Sequence, residues 1–164
     1  MMFAAIGDGT YKLFLFLHLL AVIVGVGAAV VLPIIAARSR RLDPASRADS
    51  FEAYAETARV VVPPALLLGG LFGIVLILLS DDVYSFSEGW VSSAFALWIV
   101  ALGLTAAVLV PAELRLSKLH RREAAGEAVA DQIAAVRKRL GPIQGIVHLA
   151  LVLLVVVMVW QPGH

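Results

Sequence analysis

The chain contains no cysteine, and this absence excludes disulfide bonds, thiolate metal sites and thiol redox chemistry. Charged residues are also scarce, at 15% of the 164 residues, against roughly 25% in a typical soluble domain. The hydrophobic fraction is 61%, whereas a soluble domain holds about 45–50% apolar residues. Because this excess is too large for an ordinary protein core, lipid is expected to be the solvent for much of the surface.

Motifs of soluble enzymes and of nucleic-acid-binding proteins are missing as well. The sequence has no phosphate-binding loop, no nucleophile with a base at a recognisable spacing and no carboxylate pair within its apolar segments. Its basic residues are explained by membrane topology and by contact with anionic lipid. The lipid bilayer is therefore an expected partner, and nucleic acid is not.

Four stretches without any formal charge divide the chain, at residues 13–37, 60–80, 89–112 and 140–164. Each is longer than the about 20 apolar residues with which a helix crosses a hydrocarbon core of about 30 Å. Helices are favoured over strands because a helix satisfies every backbone polar group within the segment. The runs also lack the alternation of a membrane barrel.

The predicted fold is therefore an all-α integral membrane protein, a four-helix transmembrane bundle with up-down-up-down topology. One domain is expected over residues 1–164, because this length leaves no room for a separate soluble domain. The predicted spans cover about 12–37, 60–80, 90–112 and 141–160.

The distribution of Lys and Arg predicts the orientation of the bundle. Twelve of the 13 basic residues lie in the segments 38–59 and 113–139, and Lys12 is the exception. The positive-inside rule then makes both segments cytoplasmic loops and puts both termini outside. The Ala, Val, Leu and Arg-rich composition is typical of bacteria, so the bacterial inner (plasma) membrane is the expected location. The expected aromatic belt at the outer interface is Tyr11, Tyr84, Trp90 and Trp160.

Both basic loops are expected to be helical. Asp43 and Pro44 form the pattern of a helix cap followed by proline at the first helical position. Pro63 and Pro64 are expected to break or bend the chain where it enters the second span. In segment 113–139 leucines precede alternating charges, which predicts an amphipathic helix that lies along the lipid headgroups. These leucines are Leu114, Leu116 and Leu119.

Two histidines, His18 and His148, are the only ionisable side chains within the spans, and His164 belongs to the C-terminal tail. An ionisable residue within the membrane is costly, and it marks a functional-site hypothesis by default. The alternative is a neutral histidine that joins two helices by hydrogen bonds. The sequence leaves both interpretations open for each histidine.

Small residues surround the two histidines on their helices. His18 begins a face that permits either close helix packing or a flat ligand beside the helix, and Gly25 on this face is a candidate cofactor contact. The GxxxG pair Gly69 and Gly73 in the second span indicates helix packing. The other members of the His18 face are Ala21, Ala28 and Ala29, and the residues that share a face with His148 are Gly141, Gln144 and Gly145.

His18 and His148 are also the candidate metal ligands. Because the first and fourth spans start on opposite sides, the two residues are offset along the membrane normal by on the order of 10–15 Å. A metal ion needs each ring nitrogen within about 2 Å. The offset argues against one shared small ion and leaves a tilted haem or two separate sites open. Met158 is the only other soft donor within a span.

The two ends of the sequence carry a family resemblance. The first span has His18, then LLAVIVGVGAAVVL, then Pro33, and the chain ends with Met158-Val-Trp-Gln-Pro-Gly163. This pattern resembles the domain of unknown function 2269 family of small bacterial membrane proteins, and more distantly CopD and the HemJ-type protoporphyrinogen oxidases. In those families a first-helix histidine precedes Trp-x-x-Gly and a proline, and the last helix ends in Lys-Pro. His18 and Pro33 match this pattern, whereas other residues stand at the tryptophan, glycine and lysine positions, namely Gly25, Ala28 and Gln161.

The resemblance has consequences for cofactors. The first-helix histidine of HemJ-type proteins is implicated in haem binding, so the resemblance implies that His18 binds haem. HemJ-type proteins also use an intramembrane lysine, and no span of this chain contains one. Resemblance to CopD would imply copper, for which the sequence offers few ligands.

Three functional hypotheses follow. The leading one is a membrane protein that binds haem b or another tetrapyrrole through His18, with His148 as second ligand or second site. Its role would be electron transfer or tetrapyrrole handling. The second is a non-enzymatic accessory or scaffold subunit of a larger membrane complex or homo-oligomer, and the third is a small transporter component. Whether the protein is an enzyme is left open.

Overall fold

The computed structural model describes residues 8–163, and five α-helices account for most of them. Helices α3 and α4 form one helical run, because a short π-helix, Thr105–Leu109, joins them. The described residues therefore form four helical runs, and each is long and apolar enough to cross a membrane. This confirms the predicted four-helix transmembrane fold. The helices are α1 Gly9–Ser39, α2 Pro44–Leu78, α3 Gly89–Leu104, α4 Val110–Ala124 and α5 Ala130–Trp160.

The start of α2 follows the predicted capping pattern. The Asp43 carboxylate accepts hydrogen bonds from the backbone N–H groups of Ala45 and Ser46, at 3.1 Å each. Pro44 occupies the first helical position, where its missing N–H leaves no hydrogen bond unmade. The sharp turn between Ser39 and Pro44 therefore connects α1 directly to an antiparallel α2.

Helix α2 does not break at Pro63 and Pro64, so of the two predicted alternatives, a break or a bend, the structure corrects the first. It runs without interruption through both prolines. Residues on either side of them, Ala58, Val62 and Ala65, are buried against neighbouring helices. Packing on both sides holds the backbone helical where proline removes internal hydrogen bonds, as is common in membrane helices.

The first half of the basic segment 113–139 does not lie along the lipid surface, which is a second correction. It forms α4, a continuation of the third span, and α4 packs on α2. Leu116 is 2% exposed and Leu119 is 4% exposed, within a core that also includes Phe51 and Ile133. The apolar face of this amphipathic helix thus forms a helix–helix contact inside the bundle. The sequence pattern alone cannot distinguish such a contact from a lipid surface.

The bundle is built from two closely packed helix pairs, α1 with α2 and α3 with α5, and α4 extends along α2. Helices α1 and α2 are antiparallel. His18 meets Gly69, whereas Gly25, which lies later in α1, meets Ala65, which lies earlier in α2. Helices α1 and α5 touch only narrowly. We call the end that carries Tyr11, Tyr84, Trp90 and Trp160 the aromatic end, and the end that carries 38–59 and 113–139 the basic end.

Candidate functional site

A cavity of about 420 Å³ opens between the four spans in the half of the bundle toward the aromatic end. Its walls are mostly apolar and aromatic, and all four spans contribute to them. Such a volume lies within the range of about 300–1,000 Å³ that holds small-molecule and cofactor ligands. The residues used below that line it are His18, Gly69, Gly70, Gly73, Trp98 and Met158, with Tyr11, Tyr84 and Gln161 at the aromatic end.

His18 is oriented by the backbone of α2. Its Nδ1 lies 2.8 Å from the carbonyl oxygen of Gly69. Because a carbonyl only accepts, Nδ1 must carry the proton, and in the neutral ring Nε2 then keeps a free electron pair. None of the hydrogen bonds of residues 8–163 involves this Nε2. A histidine that ligates a metal has this arrangement, in which the other ring nitrogen donates to a carbonyl or carboxylate.

Glycines on α2 make its carbonyls accessible. In a helix the side chain of residue i+4 lies over the carbonyl of residue i, because side chains point toward the N-terminus. Gly73 stands four residues after Gly69, and a Cβ atom there would lie 3.3 Å from Cε1 of His18. The GxxxG pair thus does more than bring helices together, since it also leaves room for the imidazole.

The same arrangement recurs one step away with Trp98 of α3. Its Nε1 donates to the carbonyl of Leu66 at 2.8 Å. Gly70 stands four residues after Leu66, and a Cβ atom there would lie 2.0 Å from the indole ring. Sequence reasoning missed Trp98, because nothing in the sequence links an aromatic residue of the third span to a glycine of the second.

Gly25, the predicted cofactor contact, lies against α2. It does not belong to the residues that line the cavity. A Cβ atom at Gly25 would lie 3.3 Å from Cβ of Ala65 and from the backbone nitrogen of Leu66. The glycine therefore packs directly on α2, and the structure gives it a contact between the two helices.

His148 lies in a second, smaller pocket of about 30 Å³ in the basic half of the bundle. Its Nε2 lies 2.9 Å from the carbonyl oxygen of Ala29 and must donate to it. In an unbroken helix the N–H of residue 33 would donate to this carbonyl, but Pro33 has none. His148 thus replaces the hydrogen bond that Pro33 removes, and it joins α5 to α1.

The small pocket also contains a buried acidic residue. Glu113 is 7% exposed, and the Tyr54 hydroxyl donates a hydrogen bond to its Oε1. Thr105 and Gln144 line the same pocket. Sequence reasoning passed over Glu113, because each span was taken to end at its first charged residue. Its apolar neighbours Pro111 and Ala112 were the signal that the helix, and its buried face, continue.

The two histidines occupy separate sites. His18 contacts α2, whereas His148 contacts α1 at Ala29, eleven positions after His18, or about 16 Å along the helix at 1.5 Å per residue. Within residues 8–163 no group of three or more His, Cys, Asp or Glu side chains is arranged to hold a metal ion. The structure does not bring His18 and His148 to one ion.

A third histidine, His120, organises the basic end. It is 1% exposed, its Nε2 lies 3.0 Å from a terminal nitrogen of Arg137, and its Nδ1 lies 3.1 Å from Oε2 of Glu123. Arg47 contacts the same Glu123 oxygen at 3.3 Å. Since arginine only donates, Nε2 must accept and Nδ1 must carry the proton. Burial lowers the pKa of His120, and the nearby Arg137 and Arg47 lower it further, although Glu123 opposes them.

Comparison with known proteins gives one match. The model of the domain of unknown function 2269 (DUF2269) family, described as a predicted integral membrane protein, matches residues 12–162. No curated protein matches the chain. No solved structure matches it either. The match reaches all four candidate membrane spans. The comparisons do not show the expected similarity to CopD or to HemJ-type proteins.

Proposed function

The chain belongs to the DUF2269 family of integral membrane proteins, and we propose that it binds haem b or another tetrapyrrole in the cavity beside His18. The observation that carries this proposal is the His18–Gly69 hydrogen bond of 2.8 Å, which leaves Nε2 as a free ligand at an apolar cavity of about 420 Å³. Bound haem supplies one-electron redox chemistry. The protein would then serve electron transfer or tetrapyrrole handling.

The walls of the cavity fit a flat apolar ligand. Gly70 and Gly73 carry no side chains on the α2 wall, and the space beside them holds the Trp98 indole and the His18 imidazole, so that both rings lie directly on α2 at the cavity. Trp98 is fixed by its bond to Leu66 and by its contact with Gly70, and it adds an aromatic ring to the lining of the cavity. Polar groups of Tyr11, Tyr84 and Gln161 stand at the aromatic end, where the carboxylates of a tetrapyrrole would meet water.

Met158 is a better candidate than His148 for a second axial ligand. It lines the same cavity as His18, whereas His148 lines the small pocket and gives its Nε2–H to Ala29. A His–Met pair is an established axial set for electron-transfer haems, and it raises the reduction potential. In this proposal His148 has a structural role.

The test is a titration of haemin into the detergent-purified chain, with histidine variants compared side by side. Wild type and His148→Ala are expected to bind one haem tightly, and His18→Ala is expected to lose tight binding. Met158→Leu should keep the haem but shift its reduced spectrum and lower its potential. Equal binding by wild type and His18→Ala contradicts the assignment of His18.

A second candidate function is an accessory or scaffold subunit. It is favoured by the fact that both intramembrane histidines already join helices through backbone carbonyls, at 2.8 and 2.9 Å. Apolar side chains also cover one long face of α1, where Phe16, Ile23 and Ile34 are exposed. Purification that always yields stoichiometric partner chains, together with no haem binding in the titration, would favour this function over the first.

A further inference from the structure

Thr105 is a buried hydroxyl that lacks a hydrogen-bond partner. It is 4% exposed, it lines the small pocket, and no described residue hydrogen-bonds to its Oγ1. A threonine in a helix commonly bonds the carbonyl three or four residues earlier. Here Thr105 begins the π-helix Thr105–Leu109, in which the Val110 N–H reaches back to the Thr105 carbonyl. Single-turn π-helices are frequent at functional sites.

Other polar atoms around the same pocket also have unused hydrogen-bonding capacity. The Tyr54 hydroxyl occupies Oε1 of Glu113, whereas Oε2 takes part in none of the hydrogen bonds of residues 8–163. His148 donates from Nε2 to Ala29, so in the neutral ring its Nδ1 is a free acceptor. Gln144, one helical turn before His148, lines the pocket on the side toward the basic end. A donor, acceptors and an amide thus surround one small space.

The space is large enough to hold a water molecule. Its about 30 Å³ exceeds the about 10–15 Å³ that a cavity needs to hold a water, and a buried water requires two to four polar partners. Thr105, Glu113 and His148 supply that number. A single water there would satisfy the Thr105 hydroxyl, which otherwise bears the cost of burial without a partner.

We propose that this pocket is a proton-binding site, in which the Glu113 carboxyl takes up and releases a proton through one internal water held by Thr105. The proposal does not depend on tetrapyrrole binding in the other cavity. The proton moves between the carboxyl oxygen and the water, and no other bond changes. Gln144 lies between the pocket and the basic end, and it marks the side from which the proton enters.

The surroundings favour a proton over a metal cation. The titratable groups that line the pocket are Glu113 on α4, Tyr54 on α2 and His148 on α5, and α1 contributes only apolar side chains. Among residues 8–163 no arginine or lysine lines it, so a buried carboxylate would lack a counter-charge. Calcium and magnesium require six or more oxygen ligands, which exceeds what one carboxyl, one hydroxyl and one amide supply.

The experiment is infrared difference spectroscopy of the detergent-purified chain as the pH is varied. A carboxylic-acid C=O band is expected to titrate in wild type, to vanish in Glu113→Gln, and to persist in Glu56→Gln, the control for an exposed carboxylate. Thr105→Val should shift the titration midpoint, whereas Thr105→Ser keeps the wild-type midpoint.

Two results with wild type and Glu113→Gln would overturn the proposal. One is a titrating band that is equal in wild type and Glu113→Gln, and the other is a midpoint that follows sodium concentration at fixed pH, which indicates a sodium site. Should Glu113→Gln fail to fold, Tyr54→Phe keeps the carboxyl and removes its donor. A band unmoved by both Tyr54→Phe and Thr105→Val contradicts the assignment of the proton to Glu113.

Discussion

His148 donates its Nε2–H to the carbonyl oxygen of Ala29 at 2.9 Å, and this carbonyl has no helical donor because Pro33 stands four residues later. His148 and Pro33 lie on different spans, and the hydrogen bond from His148 compensates for the N–H that Pro33 lacks. A proline within a membrane helix leaves a carbonyl without a partner in hydrocarbon, where water does not compensate it. The histidine supplies the missing donor, and it fixes α5 against α1 where these helices otherwise touch only narrowly.

This relationship predicts a coupling between the two positions. His148→Leu should cost about 1–3 kcal/mol of unfolding free energy, because the Ala29 carbonyl loses its partner. In a Pro33→Ala background the N–H of residue 33 donates to that carbonyl, so the same change should cost less. Reversible unfolding in mixed detergent micelles measures all four chains of the cycle. Equal costs in both backgrounds would show that His148 does not stabilise the protein through its hydrogen bond to the Ala29 carbonyl.

The packing of Trp98 on Gly70 predicts a position that is sensitive to a single methyl group. In Gly70→Ala the new Cβ would lie 2.0 Å from the indole ring, so Trp98 must move and release the Leu66 carbonyl. Overpacking of this kind costs about 1–3 kcal/mol. Thermal unfolding in detergent measures the change in stability, and a shift of the tryptophan fluorescence relative to a Trp98→Phe variant reports the movement of the indole.

Gly27→Ala is the matched control for this substitution. Gly27 lies in a membrane helix, and a Cβ atom there has no neighbour within 4 Å. Its replacement should leave the midpoint unchanged or raise it, since alanine is favoured over glycine in a helix by about 0.5–1 kcal/mol. If both alanine variants behave alike, the close contact at Gly70 does not hold Trp98.

The spans were predictable because the cost of a charge in hydrocarbon acts on each residue wherever it lies along the chain. Uncharged runs such as 13–37 therefore mark helices without any knowledge of their partners. The capping by Asp43 was predictable for the same reason, since it depends on residues within one helical turn. Both features depend on single residues or on residues that are close together in the sequence.

Pairings between helices were not predictable in this way. Trp98 meets Gly70, and His148 meets Ala29, only after the bundle has assembled. Gly25 has the small size that suits either a ligand or a helix contact, and only the packed structure shows that Ala65 faces it. The neutral tautomer of His18 likewise follows from its acceptor and not from its sequence context.

The environment of His120 predicts a pH dependence of stability. Because burial lowers the pKa of His120 in the folded protein, the unfolded chain binds more protons below its ordinary value of about 6.5. Stability is therefore present above about pH 6.5 and falls as the solution becomes more acidic. Thermal unfolding between about pH 7.5 and about pH 5.5 should show this loss. His120→Gln should show a smaller loss, and a loss equal to that of wild type would assign the pH dependence to other groups.

The orientation of the bundle is open to a direct test, because the chain has no cysteine. Ser87 lies between α2 and α3, and Ala128 lies between α4 and α5. Both are exposed, and they lie at opposite ends of the bundle, so each is suitable for replacement by a single cysteine. By the positive-inside rule, a membrane-impermeant maleimide added to cells with a permeabilised outer membrane should label Ser87→Cys only. Ala128→Cys should react after lysis. The reverse pattern would place the basic end outside.

A visible absorption spectrum tests whether the cavity beside His18 holds a tetrapyrrole. The chain would be purified in detergent from cells supplied with a haem precursor, and its spectrum recorded oxidised and after dithionite reduction. Wild type and His148→Ala are expected to show a Soret band, with α and β bands on reduction, and His18→Ala is expected to lose these bands. A featureless spectrum of the pure wild-type chain would contradict this proposal, and so would a pigment unchanged by His18→Ala.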